Sequence, residues 1–152
     1  MIALACDHTG IALKKELAGM LDEMGLTWKD FGNNDPGNRD DDYPVFGYRA
    51  AQAVASGECD RGILICGTGI GIGIAAGKVP GIRVCTCSDV YSAELSKRHN
   101  NSNILTMGAR VVGTELAKMI ARHWLTATFE GGRHQRRIDI IERIENGEAP
   151  EA

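Results

Sequence analysis

The chain has 152 residues, 43% of them hydrophobic and 24% charged, and its formal net charge at pH 7 is −3. These values are typical of a globular protein, and we expect one domain over residues 1–152, with a frayed tail from about residue 147. The slight excess of acidic residues argues against nucleic acid as a partner. Five cysteines, without a Cys-x-x-Cys spacing, argue against a disulfide framework or a structural zinc site.

No apolar stretch of the sequence reaches the length that spans a membrane. The apolar run after Met1 is interrupted by Asp7 and His8, so it does not have the pattern of a signal peptide. We therefore expect a cytoplasmic protein with no membrane partner.

Strands and helices alternate along the chain. The apolar run Ile2–Cys6 predicts the first strand, and a helix with apolar residues at helical spacing follows, from about Thr9 to Gly25. Leu26–Phe31 predicts the second strand. The Gly-, Asn- and Asp-rich segment Gly32–Asp42 is predicted to be a loop.

The second half of the chain continues the alternation. Pro44 is predicted to begin a helix that ends near Ser56. The remaining predicted elements are, in order, a strand at Ile63–Ile65, a helix at Ile70–Ala76, a strand at Ile82–Thr86, a helix capped by Asp89 and ending near His99, a strand at Asn103–Met107, and helices over Thr114–Thr126 and about His134–Glu145.

Five such alternations predict an α/β fold: a three-layer, doubly wound, Rossmann-like domain whose five-stranded parallel sheet carries helices on both faces. We expect the common strand order 2-1-3-4-5. Sites in such sheets lie beyond the carboxyl ends of the strands, where the strand order reverses. Strands one and three flank that point, so Asp7 and His8 are predicted to lie near Cys66 and Thr68.

Cys66 ends the third predicted strand, and glycines follow at every second position. Glycine allows a tight turn that exposes backbone N–H groups, and the next helix begins at once. A thiol at a helix N-terminus favours the thiolate form. The segment therefore predicts a place where negative charge is stabilised beside a reactive sulfur.

Three other uses of a glycine-rich loop fit poorly. A Walker phosphate loop requires Gly-Lys followed by Ser or Thr, whereas Gly77-Lys78 is followed by Val79. A dinucleotide fingerprint would lie inside the predicted helix at 71–76 instead of at its start. A cysteine phosphatase loop would end in an arginine, and Ile72 and Gly73 occupy those positions.

Proton abstraction next to a carbonyl fits better. The reaction requires a base that moves a proton between neighbouring carbons, and donors for the enediolate oxygen. Cys66 is the candidate base, the N–H groups from Gly67 to Gly71 are the candidate donors, and the Thr68 hydroxyl could assist either task.

Six segments in this order resemble the type B ribose-5-phosphate isomerases, whose wider family includes the allose- and galactose-6-phosphate isomerases. These segments are Cys6–Gly10, Asp42–Pro44, Ile63–Gly71, Ser96–Asn100, Gly108–Gly113 and Gly132–Arg137. The resemblance extends from the first strand to the last helix.

The resemblance implies roles for individual residues. Cys66 would be the base, His99 would open the furanose ring, and Asp7 would lie near the ring oxygen. The substrate-binding positions that the resemblance implies are Asp7, His8, Tyr43, Asn100, Arg110, Arg133 and Arg137. The loop residues inferred above complete the predicted substrate-binding set: Gly67, Thr68, Gly69 and Gly71. Within this set, His8, Arg110, Arg133 and Arg137 would bind the phosphate, and the i, i+4 spacing of the last two places them on one helix face.

The resemblance also implies a homodimer or homotetramer with active sites shared between subunits, and no cofactor or metal. The expected function is the interconversion of ribose 5-phosphate and ribulose 5-phosphate. Three alternatives stay open: an isomerase of allose or galactose 6-phosphate, a non-catalytic module that binds a sugar phosphate or nucleotide, and an inactive partner in a hetero-oligomer. Outside the resemblance, Asp40, Asp41 and Asp42 are interpreted as a solvated loop, and His134 as a neighbour of the phosphate-binding arginines.

Overall fold

Five parallel strands form one sheet in a computed structural model that describes residues 1–150. The strands are β1 (Ile2–Cys6), β2 (Trp28–Asp30), β3 (Arg61–Cys66), β4 (Val84–Thr86) and β5 (Ile104–Gly108). The helices are α1 (Ile11–Glu23), α2 (Tyr43–Ala55), α3 (Ile70–Ala76), α4 (Val90–Asn100), α5 (Thr114–Thr126) and α6 (Arg133–Glu145). The end of the predicted frayed tail, residues 151–152, lies outside the described residues.

The predicted α/β class and the helices on both faces are confirmed, but the predicted strand order was wrong in its last two places. The observed order is β2-β1-β3-β5-β4. Residues of β5 are buried throughout, whereas β4 has only three residues, two half-buried and one exposed. A continuous apolar strand suits an interior position and a short, more polar strand suits an edge, so these two burial patterns account for the exchange.

The helices cover the two faces of the sheet in the way that right-handed crossovers require. One core cluster packs α1, α4 and α5 on one face, around Leu17, Leu105 and Trp124. The other packs α2 and α3 on the opposite face, around Val54 and Ile72. Because β1 is followed by a helix on the first face and β3 by a helix on the second, the chain diverges between these neighbouring strands and leaves a crevice at their carboxyl ends.

Over residues 1–150, no helix has both the length and the apolar character needed to cross a bilayer.

Candidate active site

The carboxyl ends of β1 and β3 bring the first two predicted site segments together. Cys6 pairs with Ile65 in the parallel register, and the backbone N–H of Asp7 donates to the carbonyl of Ile65 at 3.3 Å. Asp7 therefore lies next to the start of the Cys66 loop. The buried Asp7 carboxylate accepts hydrogen bonds from the Thr9 backbone N–H at 2.9 Å and the Thr9 hydroxyl at 2.5 Å, which fixes the turn into α1.

The turn after Cys66 points a backbone donor at the sulfur. The N–H of Gly69 donates to Cys66 Sγ at 3.2 Å, and the N–H of Ile70 donates to the Thr68 hydroxyl oxygen at 3.3 Å. Two of the N–H groups predicted to hold an oxyanion are thus engaged within the loop. Gly71 lies in the first turn of α3, where helix geometry leaves N–H groups without intrahelical partners. Cys66 is only 4% exposed, so access to its sulfur is narrow.

Close packing requires glycine at position 69 of this loop and leaves little space beside Gly71. Gly69 has φ +79°, and a Cβ there would lie 2.7 Å from the backbone of Met107. A Cβ on Gly71 would lie 2.6 Å from the ring of Tyr43. The Tyr43 ring therefore rests against the start of α3, which places this predicted substrate-binding residue at the loop.

A cleft of about 400 Å³ opens beside the loop and is lined by His8, Thr9, Pro36, Arg39 and Arg110. The Arg110 side chain lies 3.8 Å from the position of a Cβ on Gly67 and so borders the loop as well. Two guanidinium groups and an imidazole in one cleft favour an anion such as a phosphate. Sequence reasoning missed Arg39, and the only available signal was a basic residue in an otherwise acidic loop.

The interpretation of Asp41 as solvated was wrong. Its side chain is 2% exposed and accepts from the His8 backbone N–H at 2.7 Å and from Asn33 Nδ2 at 2.7 Å, while His8 Nδ1 lies 2.5 Å from its other oxygen. Burial opposes ionisation, but the hydrogen bonds from His8 and Asn33 hold the pKa of the Asp41 carboxyl below its usual value. The loop that carries Asp41 is thus part of the site.

A second, smaller cleft of about 240 Å³ lies on the other side of the loop, between the ends of β3, β5 and β4. Its lining residues are Thr68, Ile70, Thr86, Cys87, Ser88, Gly108 and Val111. Thr68 is exposed at this cleft, so its hydroxyl is accessible from outside the chain.

Four predicted site residues lie at the amino ends of the strands, away from Cys66. They are His99, Asn100, Arg133 and Arg137. Helix α4 starts after the carboxyl end of β4 and ends at Asn100, close to where β5 begins, so His99 and Asn100 lie at the amino end of the strands. The Glu130 N–H donates to the Arg98 carbonyl at 3.0 Å, which places the start of α6, with Arg133 and Arg137, beside them. A five-residue strand is roughly 17 Å long. Within one chain these residues do not join Cys66.

His99 stacks on His134, with ring centroids 4.2 Å apart and an interplanar angle of 6°. Both Nε2 atoms lie 3.6 Å from the same oxygen of Glu130. Among residues 1–150 this is the one group whose side chains could hold a metal ion, with ligand atoms within 4.8 Å of one another. Parallel rings do not direct two nitrogens at one point, however, and Glu130 already pairs with Arg98 at 2.5 Å. The group fits an imidazole pair better than a metal centre.

We expect stability to fall on acidification because of His134. Burial, followed by the charges of His99 and Arg133, lowers the pKa of His134 below its ordinary value of 6.5. Below that value the unfolded chain binds a proton that the folded chain does not, so the free energy of unfolding decreases as the pH falls through 6.5. Urea unfolding at pH 7.5 and pH 5.5 measures the loss.

The His134→Asn variant removes this titration and should reduce the difference between the two pH values. His123→Asn is the matched control because His123 is exposed on α5. Equal pH dependence in the wild type and the His134 variant would contradict the assignment.

Comparison with known proteins identifies the family of the chain. The sequence model of the ribose/galactose isomerase family matches residues 2–141. The chain is 53% identical over 144 residues to ribose-5-phosphate isomerase B of Escherichia coli, covering 95% of each chain. It is 43% identical over 147 residues to D-erythrulose-4-phosphate isomerase of Pectobacterium atrosepticum, covering 97% of this chain and 96% of that one.

Among solved structures, ribose-5-phosphate isomerase B of Mycoplasma genitalium with bound ribulose-5-phosphate superposes with a TM-score of 0.90. The two chains are 41% identical, and the match covers 95% of each. The chain therefore belongs to the ribose/galactose isomerase family and is a sugar-phosphate isomerase.

Proposed function

We propose that the protein interconverts D-ribose 5-phosphate and D-ribulose 5-phosphate through an enediolate. The observation that carries the proposal is the contact between the Gly69 N–H and Cys66 Sγ, in a loop that borders a cleft containing His8 and Arg110. A sulfur with a backbone donor at one side and cationic side chains nearby suits a reaction in which a phosphorylated substrate develops negative charge. The E. coli and M. genitalium relatives support the choice of a pentose phosphate.

In the proposed mechanism Cys66 acts as a thiolate base. It removes the proton from C2 of the open-chain aldose, and the carbonyl at C1 becomes the enediolate oxygen. The same sulfur then delivers the proton to C1, while the proton on O2 moves to O1, which leaves a ketone at C2 and a hydroxyl group at C1. The Gly69 N–H stabilises the sulfur anion, and the N–H groups of Gly67, Thr68 and Gly71 are assigned to the enediolate oxygen, with the Thr68 hydroxyl assisting.

Ring opening is assigned to His99, with Asp7 near the ring oxygen. His99 lies at the amino ends of the strands, whereas Cys66 lies at the carboxyl end of β3. The assignment therefore requires a second copy of the chain, which also supplies Asn100, Arg133 and Arg137. Exposed apolar side chains near the loop support such a contact. They are Tyr43, Ile70, Ile74 and Val111, which are 40%, 55%, 61% and 58% exposed. We therefore propose a homodimer or homotetramer whose active sites are built from two subunits.

A substrate panel tests the reaction. We expect the highest kcat/KM for ribose 5-phosphate, with lower values for allose 6-phosphate, galactose 6-phosphate and D-erythrulose 4-phosphate. Erythrulose 4-phosphate is the second candidate, because the P. atrosepticum relative carries that name. Absence of turnover on all four sugars would favour a non-catalytic binding module instead.

Subunit mixing tests the shared site. Cys66→Ala and His99→Ala should each be inactive alone, and co-expression should restore about a quarter of the wild-type activity. Half of the randomly formed dimers are mixed, and each mixed dimer has one site with both residues intact. The readout is the specific activity of the co-purified protein.

A mixture of Cys66→Ala with the double variant Cys66→Ala/His99→Ala is the matched control and should stay inactive. If the mixed single variants also stay inactive although mixed dimers are present, Cys66 and His99 do not act across a subunit boundary.

A further inference from the structure

Asp41 makes a two-point contact with His8 that none of the roles assigned so far explains. One carboxylate oxygen accepts from the His8 backbone N–H at 2.7 Å, and the other lies 2.5 Å from His8 Nδ1. The side chain of Asp41 is 2% exposed, whereas that of His8 is 29% exposed. The carboxylate is thus enclosed behind the imidazole, and the ring remains accessible from the cleft.

Hydrogen bonds from the preceding part of the loop fix the position of the Asp41 carboxylate. Asn33 Nδ2 donates to the oxygen that accepts the His8 backbone N–H, at 2.7 Å, and also to the Asn38 carbonyl at 3.0 Å. Buried Lys14 donates to the Asn33 carbonyl at 2.9 Å, to Asn34 Oδ1 at 2.8 Å and to both oxygens of Asp30. Lys14 therefore ties the start of the loop to α1 and β2, and the position of Asp41 does not depend on the loop alone.

The contact between Asp41 and His8 Nδ1 determines which nitrogen of the His8 ring can bind a ligand. A carboxylate only accepts hydrogen bonds, so the proton next to it belongs on Nδ1. Nε2 is then the one polar atom of the ring that is left for a molecule in the cleft, and with a second proton there the imidazolium donates from Nε2 to a phosphate oxygen. The other charged side chains that line this cleft are Arg39 and Arg110.

We propose that Asp41 is a positioning residue that fixes the ring of His8 so that Nε2, together with Arg110 and Arg39, binds the phosphate group of the substrate. The inference rests on the proposed function for the identity of the substrate. It concerns binding rather than proton transfer at carbon, so Asp41 acts on phosphate affinity and not on the chemical step.

Calorimetric titration with inorganic phosphate and with ribose 5-phosphate tests the inference. Asp41→Asn should weaken the binding of both ligands roughly 10- to 100-fold, the range expected when a hydrogen bond between charged groups is lost. KM should rise to a similar extent, with kcat changed less than about twofold. Asp40→Asn is the matched control, since it removes the same charge from an exposed neighbour in the same loop and should leave both dissociation constants unchanged.

A double-mutant cycle separates a role through His8 from a general effect on the loop. If Asp41 acts through His8, Asp41→Asn should change phosphate affinity less than about twofold in a His8→Ala background. An equal loss of affinity with and without the imidazole overturns the inference. Nitrogen-15 NMR of the wild-type histidines needs no variant: a His8 ring without a proton on Nδ1 would also overturn it. A wild-type protein that binds phosphate through this pair but isomerises no sugar would refute the proposed function and leave the role of Asp41 intact.

Discussion

Replacing Cys66 with alanine is expected to lower kcat for sugar-phosphate isomerisation by at least about a thousandfold, within the range that general-base catalysis supplies. The sulfur of Cys66 accepts a hydrogen bond from the Gly69 N–H at 3.2 Å. Alanine leaves the loop without the group that removes the C2 proton of the substrate. Binding of ribose 5-phosphate should be retained, because the proposed phosphate contacts lie on other residues. Exchange of the C2 proton with D₂O, followed by NMR, measures the step directly.

Cys6→Ala is the matched control. Cys6 ends the neighbouring strand and is also buried. Burial raises the pKa of its thiol to about 12; the charges of Asp30 and Asp7 add to this rise, and the charge of Lys14 opposes it. A thiol of that kind is not a base near neutral pH, so the variant should keep its proton exchange even if it loses some stability. Exchange that persists in Cys66→Ala at more than about a tenth of the wild-type rate would show that another group is the base.

The parts of the site that lie on strand ends were predictable from sequence. Alternating strands and helices predict a point between β1 and β3 where the strand order reverses. This places Asp7 and Cys66 together at the carboxyl ends of the strands, and the prediction needs no comparison with a known relative. The exchange of β4 and β5 did not affect this, because β1 and β3 are neighbours in both orders. Strand length and polarity did not indicate the edge strand, because the predicted segments Ile82–Thr86 and Asn103–Met107 each have five residues, two of them polar.

The roles of residues on helices and loops were not predictable in the same way. His99 and Arg133 lie at the amino ends of the strands, away from Cys66, and only the resemblance to a family connected them with it. Asp41 is one of three consecutive aspartates, and sequence alone does not show that the middle one turns inward toward His8. That choice depends on Asn33 and Lys14, which hold the loop from behind through contacts distant in sequence.

The stacking of His134 on His99 shows the same limit. The two histidines are 35 positions apart, on α4 and α6, and their spacing carries no pattern of its own. The structure changes the interpretation of His134 from a neighbour of arginines to a buried ring in contact with the residue proposed to open the sugar ring. A helix pairing that brings α6 across the end of α4 is a tertiary feature, decided by packing and not by local sequence.

Gly69→Ala is expected to impair both folding and catalysis, although Gly69 contributes no side chain. A left-handed backbone with φ +79° is unfavourable for alanine, and the added Cβ would lie 2.7 to 2.9 Å from backbone atoms of Met107 in β5. Since Met107 is fully buried in an interior strand, relief requires the loop to move away from the sheet. We expect the free energy of unfolding to fall by about 3 kcal/mol or more and kcat/KM to fall with it, because the N–H that faces Cys66 moves too.

Gly19→Ala provides the matched control, because Gly19 lies within α1 and a Cβ there meets no atom within 4 Å. Alanine in a helix interior should raise the free energy of unfolding by about 0.5 to 1 kcal/mol and leave activity unchanged. Chemical denaturation with parallel activity assays compares the two. If Gly69→Ala lowered stability but kept wild-type kcat/KM in the folded fraction, the backbone donor at position 69 would have no part in catalysis. The Cys66 sulfur would then require another group to stabilise its charge, and the N–H groups nearest to it along the loop are those of Gly67 and Thr68.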